Sequence, residues 1–234
     1  ELTPDLNLPT QVNSFLLEHG GIASPDALFS FVIGGMDIQN AFKIRAAGML
    51  AETKEERKAA VQAAKNNIRA AVDAEEAQIR KLIAAGAQHI LVVNVGDHGA
   101  LPIADIITEQ TLGLATTANQ EKRVKRLPKV ATRLSVKFNK YLAKRINKIE
   151  KETGIDIIEL DQFASAANQA DNAEELGFTN IDTPCIYTLE GLVINPECTD
   201  FPVASGFLFW DEYHPTTLAH QIIAAETLEL ILSH

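Results

Sequence analysis

The sequence predicts an α/β fold in which a parallel sheet is sandwiched between helices. Short apolar runs typical of buried strands alternate with long amphipathic stretches typical of helices, and connections of this length favour parallel strands. The chain has 234 residues, of which 46% are hydrophobic, and its mean hydropathy is close to zero. A chain of this size and composition can bury a sizeable core. We therefore expect a single domain over residues 1–234.

Three apolar runs are the predicted strands. They are ALFSFVI at 27–33, HILVVNV at 89–95 and IDIIEL at 155–160. The first ends at Gly34–Gly35, the second runs into the loop GDHGALP, and the third leads into Asp161. Sites in parallel sheets form at the carboxyl ends of the strands. We therefore expect the segment Gly34–Asp37, the GDHG loop and Asp161 to lie near one another.

Helices are predicted at 52–85, at 129–150 and from about Pro215 to Leu232, because apolar residues recur there at helical spacing. For the first of these a free coiled coil is the rival interpretation. Gly86 and the apolar run that follows favour a helix packed on a sheet. The chain from Asp161 to Phe207 is expected to be mostly irregular.

Composition and charge exclude several classes of function. The net charge of -10 argues against a nucleic-acid partner, since phosphate binding needs a positive field. Basic residues from Lys122 onward are interpreted as the solvated face of a helix. No run is apolar enough for a transmembrane segment. The sequence contains no P-loop, dinucleotide fingerprint or zinc motif, so neither a metal nor a cofactor is expected.

The two cysteines, Cys185 and Cys198, lie in a region rich in Pro, Gly, Asp and Asn. A disulfide between them would close a loop and contribute about 3 kcal/mol in the chain-entropy model. Two reduced thiols, as in a cytosolic protein, are the alternative. We favour the disulfide, and with it a secreted or cell-envelope protein. No signal peptide is visible, and because the chain begins with Glu1, we expect any targeting segment to have been removed or to lie upstream.

Asp211 and His214 stand three residues apart in FLFWDEYHPTTLAHQ, before a proline and a helical run. A carboxylate this close on a tight turn can accept a hydrogen bond from the histidine Nδ1–H, which leaves Nε2 free to take a proton. The alternative is that both residues only cap the last helix. The catalytic interpretation requires the imidazole to be accessible at the rim where the Gly34–Gly35 turn emerges.

The order of these motifs resembles the SGNH, or GDSL, family of lipases and esterases over nearly the whole chain. IGGMD resembles the family's G-x-N-D block, LVVNVGDHGALP the strand and loop that follow, and DEYHPT the D-x-x-H-P block. The resemblance implies a flavodoxin-like SGNH fold and a carboxylic ester hydrolase acting on small-molecule or lipid esters. His214 would then be the general base that activates a serine, and Asp211 would orient it.

The chain departs from the family pattern in its G-x-N-D block. Gly34 and Gly35 match this oxyanion region, but Met36 stands where the family has an asparagine that donates to the oxyanion. A thioether has no N–H, and losing one such donor typically costs about 10²–10³ in turnover. Asn40, four residues further on, is an alternative donor, although we expect it to be a surface residue.

A second departure concerns the nucleophile. The family's serine lies in a GDS block on the first strand, and none of Ser14, Ser24, Ser30, Ser135, Ser165 and Ser205 has such a context. We therefore expect the block to lie upstream, the first strand or strands to be absent, and this chain alone to be inactive. Absence of that strand would expose an inner edge of the sheet. We therefore expect self-association of the chain or complementation by the N-terminal segment. The alternative is a catalytically degenerate binding or interaction protein.

Four further positions are weighed as site residues. His98 in the GDHG loop is at a strand end, but we expect it to be exposed to water. His220 follows His214 at the wrong spacing for a metal pair on one helix face. Phe209 and Trp210 either form the wall of an acyl pocket or pack in the core.

Overall fold

The computed structural model describes residues 7–189 and 191–234, and it confirms the predicted α/β class. Helices of the described chain are α1 (Leu8–Glu18), α2 (Gly35–Leu50), α3 (Lys54–Ala84), α4 (Pro102–Gly113), α5 (Ala118–Val124), α6 (Leu127–Thr153), α7 (Gln162–Asp171) and α8 (Thr217–Ser233). Strands are β1 (Leu28–Val32), β2 (His89–Val93), β3 (Ile157–Leu160), β4 (Asn180–Pro184), β5 (Ile186–Tyr187), β6 (Val193–Ile194) and β7 (Phe207–Phe209).

The three predicted strands form one parallel sheet in the order β1-β2-β3. Phe31 is opposite Val92 in the first pair, and Ile90 is opposite Ile157 in the second. These four side chains point to one face and belong to the largest buried apolar cluster. The alternation of side chains along each strand leaves the other residues for the opposite face.

The helices α2, α3 and α6 cover the first face of the sheet. The apolar stripe of α6 is buried as predicted, from Val130 to Ile149, and α3 packs against both α2 and α6. This packing excludes the coiled-coil alternative for α3. Its N-terminus is fixed by a capping box, in which Thr53 and Glu56 each accept a hydrogen bond from the other's backbone N–H.

The second face of the sheet is covered by α8, but only in part. Leu91 and Leu160 pack there with Ile223 and Ile231 of α8. On β1, by contrast, the side chain of Val32 is 75% exposed and Leu28 is also exposed. Within the described residues β1 is an edge strand with one uncovered apolar face.

Most of the described residues from Asp161 to Phe207 are irregular, as expected, but the segment also contains regular elements that the sequence did not predict. This segment contains α7, and it contains β4, which pairs in parallel with β7, and the antiparallel pair β5–β6. The strands of this segment have only two to five residues, too few for their periodicity to be recognised in sequence. Helix α7 begins where the Asp161 carboxylate accepts a hydrogen bond from the backbone N–H of Ala164.

Cys185 and Cys198 form a disulfide, with their Cα atoms 5.2 Å apart. Both are buried in a small cluster with Ile186 and Phe207, against which Trp210 packs. The disulfide thus closes the loop that contains β5 and β6. As for membranes, no helix in the described ranges has both the length and the apolar character needed to cross one.

Candidate active site

The Asp211–His214 turn has the geometry of an acid–imidazole pair. Nδ1 of His214 lies 2.8 Å from Oδ2 and 2.9 Å from Oδ1 of Asp211. Oδ1 also accepts the backbone N–H groups of Tyr213 and His214, each at 2.8 Å. The carboxylate side chain is 15% exposed, whereas the imidazole is 70% exposed. The ring is therefore held through Nδ1 while Nε2 faces accessible space.

Glu212 anchors this turn from the inside. Its side chain is fully buried, and its carboxylate accepts hydrogen bonds from the backbone N–H of Thr188 at 2.6 Å and from the Thr188 hydroxyl at 2.7 Å. The Glu212 carbonyl accepts the N–H of Ile103 in α4. These bonds hold the backbone of the turn in place, so the buried Glu212 helps to position the neighbouring Asp211 and His214.

The first turn of α2 forms the opposite side of the site, and Gly34 places it there. Gly34 has φ 108°, and a Cβ at this position would lie 2.5 Å from Cζ of Phe138 and 2.8 Å from Cγ1 of Val95. Only glycine tolerates both this backbone conformation and this close approach. The helix then begins at Gly35, with Met36 in its first turn.

Gln39, and not Asn40, is the amide of α2 that faces the site. Met36 is 65% exposed and lines the cleft. Asn40 is exposed, as expected, and is not among the residues of the described chain that line the cleft. Gln39 is 4% exposed, and its side-chain Nε2 donates a short hydrogen bond to the hydroxyl of Tyr213. Sequence reasoning missed Gln39, although its three-residue spacing from Met36 places both on one helix face.

The expectation that His98 is exposed to water is wrong. His98 is partly buried, its Nε2 is 3.1 Å from the carbonyl oxygen of Gly35, and its backbone N–H donates to Oγ of Ser135. Burial is the main cause of the lowered pKa of His98. The neutral ring thus tethers the GDHG loop to the start of α2, because a parallel sheet brings both strand ends to one edge.

A cleft of about 770 Å³ connects these elements. One end is lined by residues that include Gly35, Met36, Lys43, His98 and His214. The other end is formed by α7, β4, β7 and α8, and the described residues that these elements contribute are all uncharged: Gln162, Phe163, Ala166, Ala167, Gln169, Ala170, Ile181, Leu208, Phe209 and Ile223. The arrangement combines an exposed base with an apolar groove.

The structure brings together most of the sequence-predicted positions, but not all. Gly35, Met36, His98, Phe209 and His214 line the cleft. Gly34 lies behind it, and Asp161 caps α7 and accepts a hydrogen bond from Asn94. Trp210 packs on Phe201 with the disulfide cluster, so for Trp210 the core interpretation holds.

No serine or cysteine occurs among the described residues that line the cleft. Ser135 and Ser165 are buried, while Ser14, Ser24, Ser30 and Ser205 are exposed elsewhere. Nor do the described residues place three or more His, Cys, Asp or Glu side chains where they could hold a metal ion.

The sequence matches the family model of the GDSL-like lipases and acylhydrolases over residues 5–227. The chain therefore belongs to this family. The resemblance that its IGGMD, GDHGALP and DEYHPT motifs indicate is thus confirmed, and with it the expectation of the family's α/β fold.

Curated relatives in Arabidopsis thaliana are similar to most of the chain. This chain is 26% identical to GDSL esterase/lipase At1g74460 over 156 residues, a match that covers 64% of this chain and 38% of the relative. GDSL esterase/lipase At1g20120 is 28% identical over 159 residues, covering 64% of this chain and 35% of the relative. GDSL esterase/lipase APG is 26% identical over 156 residues, covering 62% of this chain and 40% of the relative. The chain thus spans about two fifths of the length of these relatives.

Proposed function

We propose that this chain is the base-bearing part of a carboxylic ester hydrolase that works through a Ser-His-Asp triad and an acyl-enzyme. The observation that carries the proposal is the His214 imidazole, which Asp211 holds through Nδ1 at 2.8 Å at the rim of an apolar cleft. Membership of a family of lipases and acylhydrolases supports the same chemistry. In this role His214 is the general base and Asp211 orients it.

The reaction follows from the free Nε2 of His214. Nε2 takes the serine hydroxyl proton while the serine oxygen attacks the ester carbonyl carbon, and Asp211 stabilises the imidazolium that forms. Nε2 then gives this proton to the leaving alkoxide as the ester C–O bond breaks. Water attacks the acyl-enzyme in the second half, losing a proton to Nε2, which returns it to the serine as the acid departs.

The serine in this proposal lies outside residues 1–234, so the chain alone is inactive. Two observations support this: no described cleft residue is a serine, and the match covers less than two fifths of each of two relatives. The uncovered face of β1, where Val32 is 75% exposed, supports pairing of this edge with an N-terminal segment or with a second copy. A stable, non-aggregating monomer of the isolated chain in light scattering would contradict both forms of pairing.

The substrate in this proposal is a small-molecule or lipid ester, and the compartment is extracellular or in the cell envelope. The uncharged lining of the groove beyond His214 supports an apolar acyl group. The disulfide between Cys185 and Cys198 supports an oxidising compartment.

A catalytically degenerate binding protein is the second candidate, and Met36 is the observation that favours it. A thioether cannot donate to an oxyanion. The retained geometry of Asp211 and His214 speaks against this candidate, because binding alone does not require a free, oriented imidazole nitrogen.

Hydrolysis of p-nitrophenyl butyrate separates the two candidates. In the full-length protein, we expect His214→Ala to lower kcat by at least about 10³-fold, while His220→Ala, at an exposed position on α8 outside the described cleft lining, leaves it unchanged. Full turnover in His214→Ala would contradict the triad. A wild-type protein that binds the ester without cleaving it would favour the second candidate.

A further inference from the structure

The hydroxyl of Tyr213 has a proton to donate inside the cleft. Its oxygen accepts a hydrogen bond from Nε2 of Gln39, and within the described residues this hydroxyl has no further hydrogen bond. A phenol has one O–H donor besides its acceptor sites. Because the amide N–H occupies an acceptor site, the phenolic proton is left for another partner. Tyr213 is only partly buried and lines the cleft, so a bound molecule can accept this hydrogen bond.

The bond from Gln39 fixes this hydroxyl beside the first turn of α2. Gln39 is 4% exposed, so its side chain has little freedom to move. Its three-residue spacing from Met36 places both on one helix face, and both line the cleft. The hydroxyl of Tyr213 is therefore held at the helix face on which the family resemblance places an oxyanion donor, and where Met36 provides none.

The ring of Tyr213 also adjoins the proposed base. Its centroid lies 6.2 Å from that of the His214 ring, and the two planes are tilted by 57°. A serine that gives its proton to Nε2 of His214 must touch that nitrogen, and the oxyanion formed from the ester is two bonds from the serine oxygen. The oxyanion therefore forms within a few ångströms of the imidazole, in the cleft that Tyr213 and His214 both line.

The phenol of Tyr213 keeps its proton at neutral pH. Burial raises the pKa of Tyr213, and the carboxylates of Glu212 and Asp211 raise it further. Tyrosine hydroxyls are among the side-chain groups that serve as oxyanion donors, and such donors are effective when their position is fixed before the reaction. The hydrogen bond from Gln39 fixes the position of this one.

We propose that Tyr213 is a catalytic residue whose hydroxyl donates a hydrogen bond to the oxyanion of the tetrahedral intermediate, and that Gln39 positions it. This inference rests on the proposed ester hydrolysis. When the serine oxygen bonds to the ester carbonyl carbon, the carbonyl π electrons move onto the carbonyl oxygen. The phenolic O–H shares its proton with that oxygen without transferring it, and this bond strengthens as the charge develops. Tyr213 thus supplies the side-chain donor that Met36 cannot.

Kinetics of Tyr213→Phe in the full-length protein test this proposal. We expect kcat for p-nitrophenyl butyrate to fall by about 10²–10³-fold and KM to change little, because the donor acts on charge that the bound ester does not yet carry. Butaneboronic acid is the second probe, since its boron bonds to the serine oxygen and becomes a tetrahedral anion. Its inhibition constant should rise by about 10-fold or more in Tyr213→Phe. Tyr141→Phe removes a hydroxyl on α6 outside the described cleft lining and should match the wild type.

Two further variants distinguish a lost donor from a loosened site. Met36→Asn adds an amide donor on the same helix face, so it should raise kcat of Tyr213→Phe by a larger factor than it raises that of the wild type. Gln39→Glu gives the same prediction for kcat as Tyr213→Phe if the latter does not fold. Its carboxylate accepts the phenolic proton and withdraws it from the cleft.

The outcomes separate this role of Tyr213 from the proposed function. A wild-type kcat in Tyr213→Phe, in a protein that His214→Ala inactivates, would overturn the role of Tyr213 and leave the ester hydrolase intact. A fall in kcat without weaker inhibition by butaneboronic acid would also overturn it, because a lost oxyanion donor weakens both. A wild-type protein that does not hydrolyse the ester would overturn the proposed function and this inference together.

Discussion

The side-chain amide of Gln39 donates a hydrogen bond to the hydroxyl of Tyr213, which lies 174 residues further along the chain. This bond joins the first turns of α2 to the Asp211–His214 turn. These two parts of the candidate site are far apart in the sequence. Burial raises the pKa of Tyr213, so the phenol stays neutral and available to the amide at physiological pH.

Removing this bond should loosen the site. We expect Gln39→Leu to lower the free energy of unfolding by about 1–3 kcal/mol, because a partly buried hydroxyl loses its partner, and to lower kcat more than it changes KM. Urea denaturation and ester hydrolysis measure the two effects. Gln62→Leu, on the exposed surface of α3, is the matched control. An unchanged stability in Gln39→Leu would show that the bond contributes nothing.

Met36 should limit the rate of the proposed reaction. Met36→Asn restores an amide donor at the position that faces the cleft, and one oxyanion donor is worth about 10²–10³ in turnover. We therefore expect kcat for p-nitrophenyl butyrate to rise by about 10-fold or more in the full-length protein. Met36→Leu, which adds no donor, should behave like the wild type. The prediction fails if the two variants have the same kcat.

Glu75 should make the stability of the protein depend on pH. It is 1% exposed on α3, neither carboxyl oxygen has a partner among the described residues, and burial followed by the nearby Asp37 charge raises its pKa to about 8. The folded state therefore keeps the proton that the unfolded state loses near its ordinary pKa of 4.5. The resulting stabilisation is fully present below that value and is lost as pH rises through about 8.

Glu75→Gln should remove this dependence. Across the range from about 4.5 to about 8, we expect the wild type to lose on the order of 1 kcal/mol per pH unit from this group, and the variant to lose less. Denaturant unfolding at a series of pH values gives both curves, with Glu55→Gln, at an exposed position on α3, as the control. Parallel curves for Glu75→Gln and the wild type would contradict the assignment.

The disulfide should stabilise the segment that contains β5 and β6. Closing a loop with a sequence separation of 13 is worth about 3 kcal/mol in the chain-entropy model. We expect the double variant Cys185→Ser, Cys198→Ser to lose about this much, and reductant to destabilise the wild type but not the variant. Thermal unfolding with and without dithiothreitol provides the measurement. If the wild type has the same Tm in both conditions, the disulfide does not stabilise the fold.

The sequence predicted those features of the molecule whose signal lies within one short segment. The strands β1, β2 and β3 are continuous apolar runs, the stripe of α6 has a clear period, and Asp211 and His214 are only three residues apart. Each of these signals lies within one segment, so periodicity and spacing reveal it.

Relations between distant segments were not predictable in the same way. Tyr213 is paired with Gln39, Ser165 with Glu226 and Glu212 with Thr188, in each case across a separation that only the fold closes. The short strands β5 and β6 were missed because two residues carry no period. Helix α2 was missed because its glycine start and mixed surface give a weak amphipathic pattern.

The central claim is that His214 activates a serine outside residues 1–234. Labelling the full-length protein with a fluorophosphonate, followed by peptide mass spectrometry, tests it most directly, because the probe bonds covalently to an activated serine. We predict one phosphonylated serine upstream of Glu1, with a labelling rate that falls by at least about 10³-fold in His214→Ala and is unchanged in His220→Ala. A label on a serine within residues 1–234, or labelling that does not depend on His214, would contradict the account.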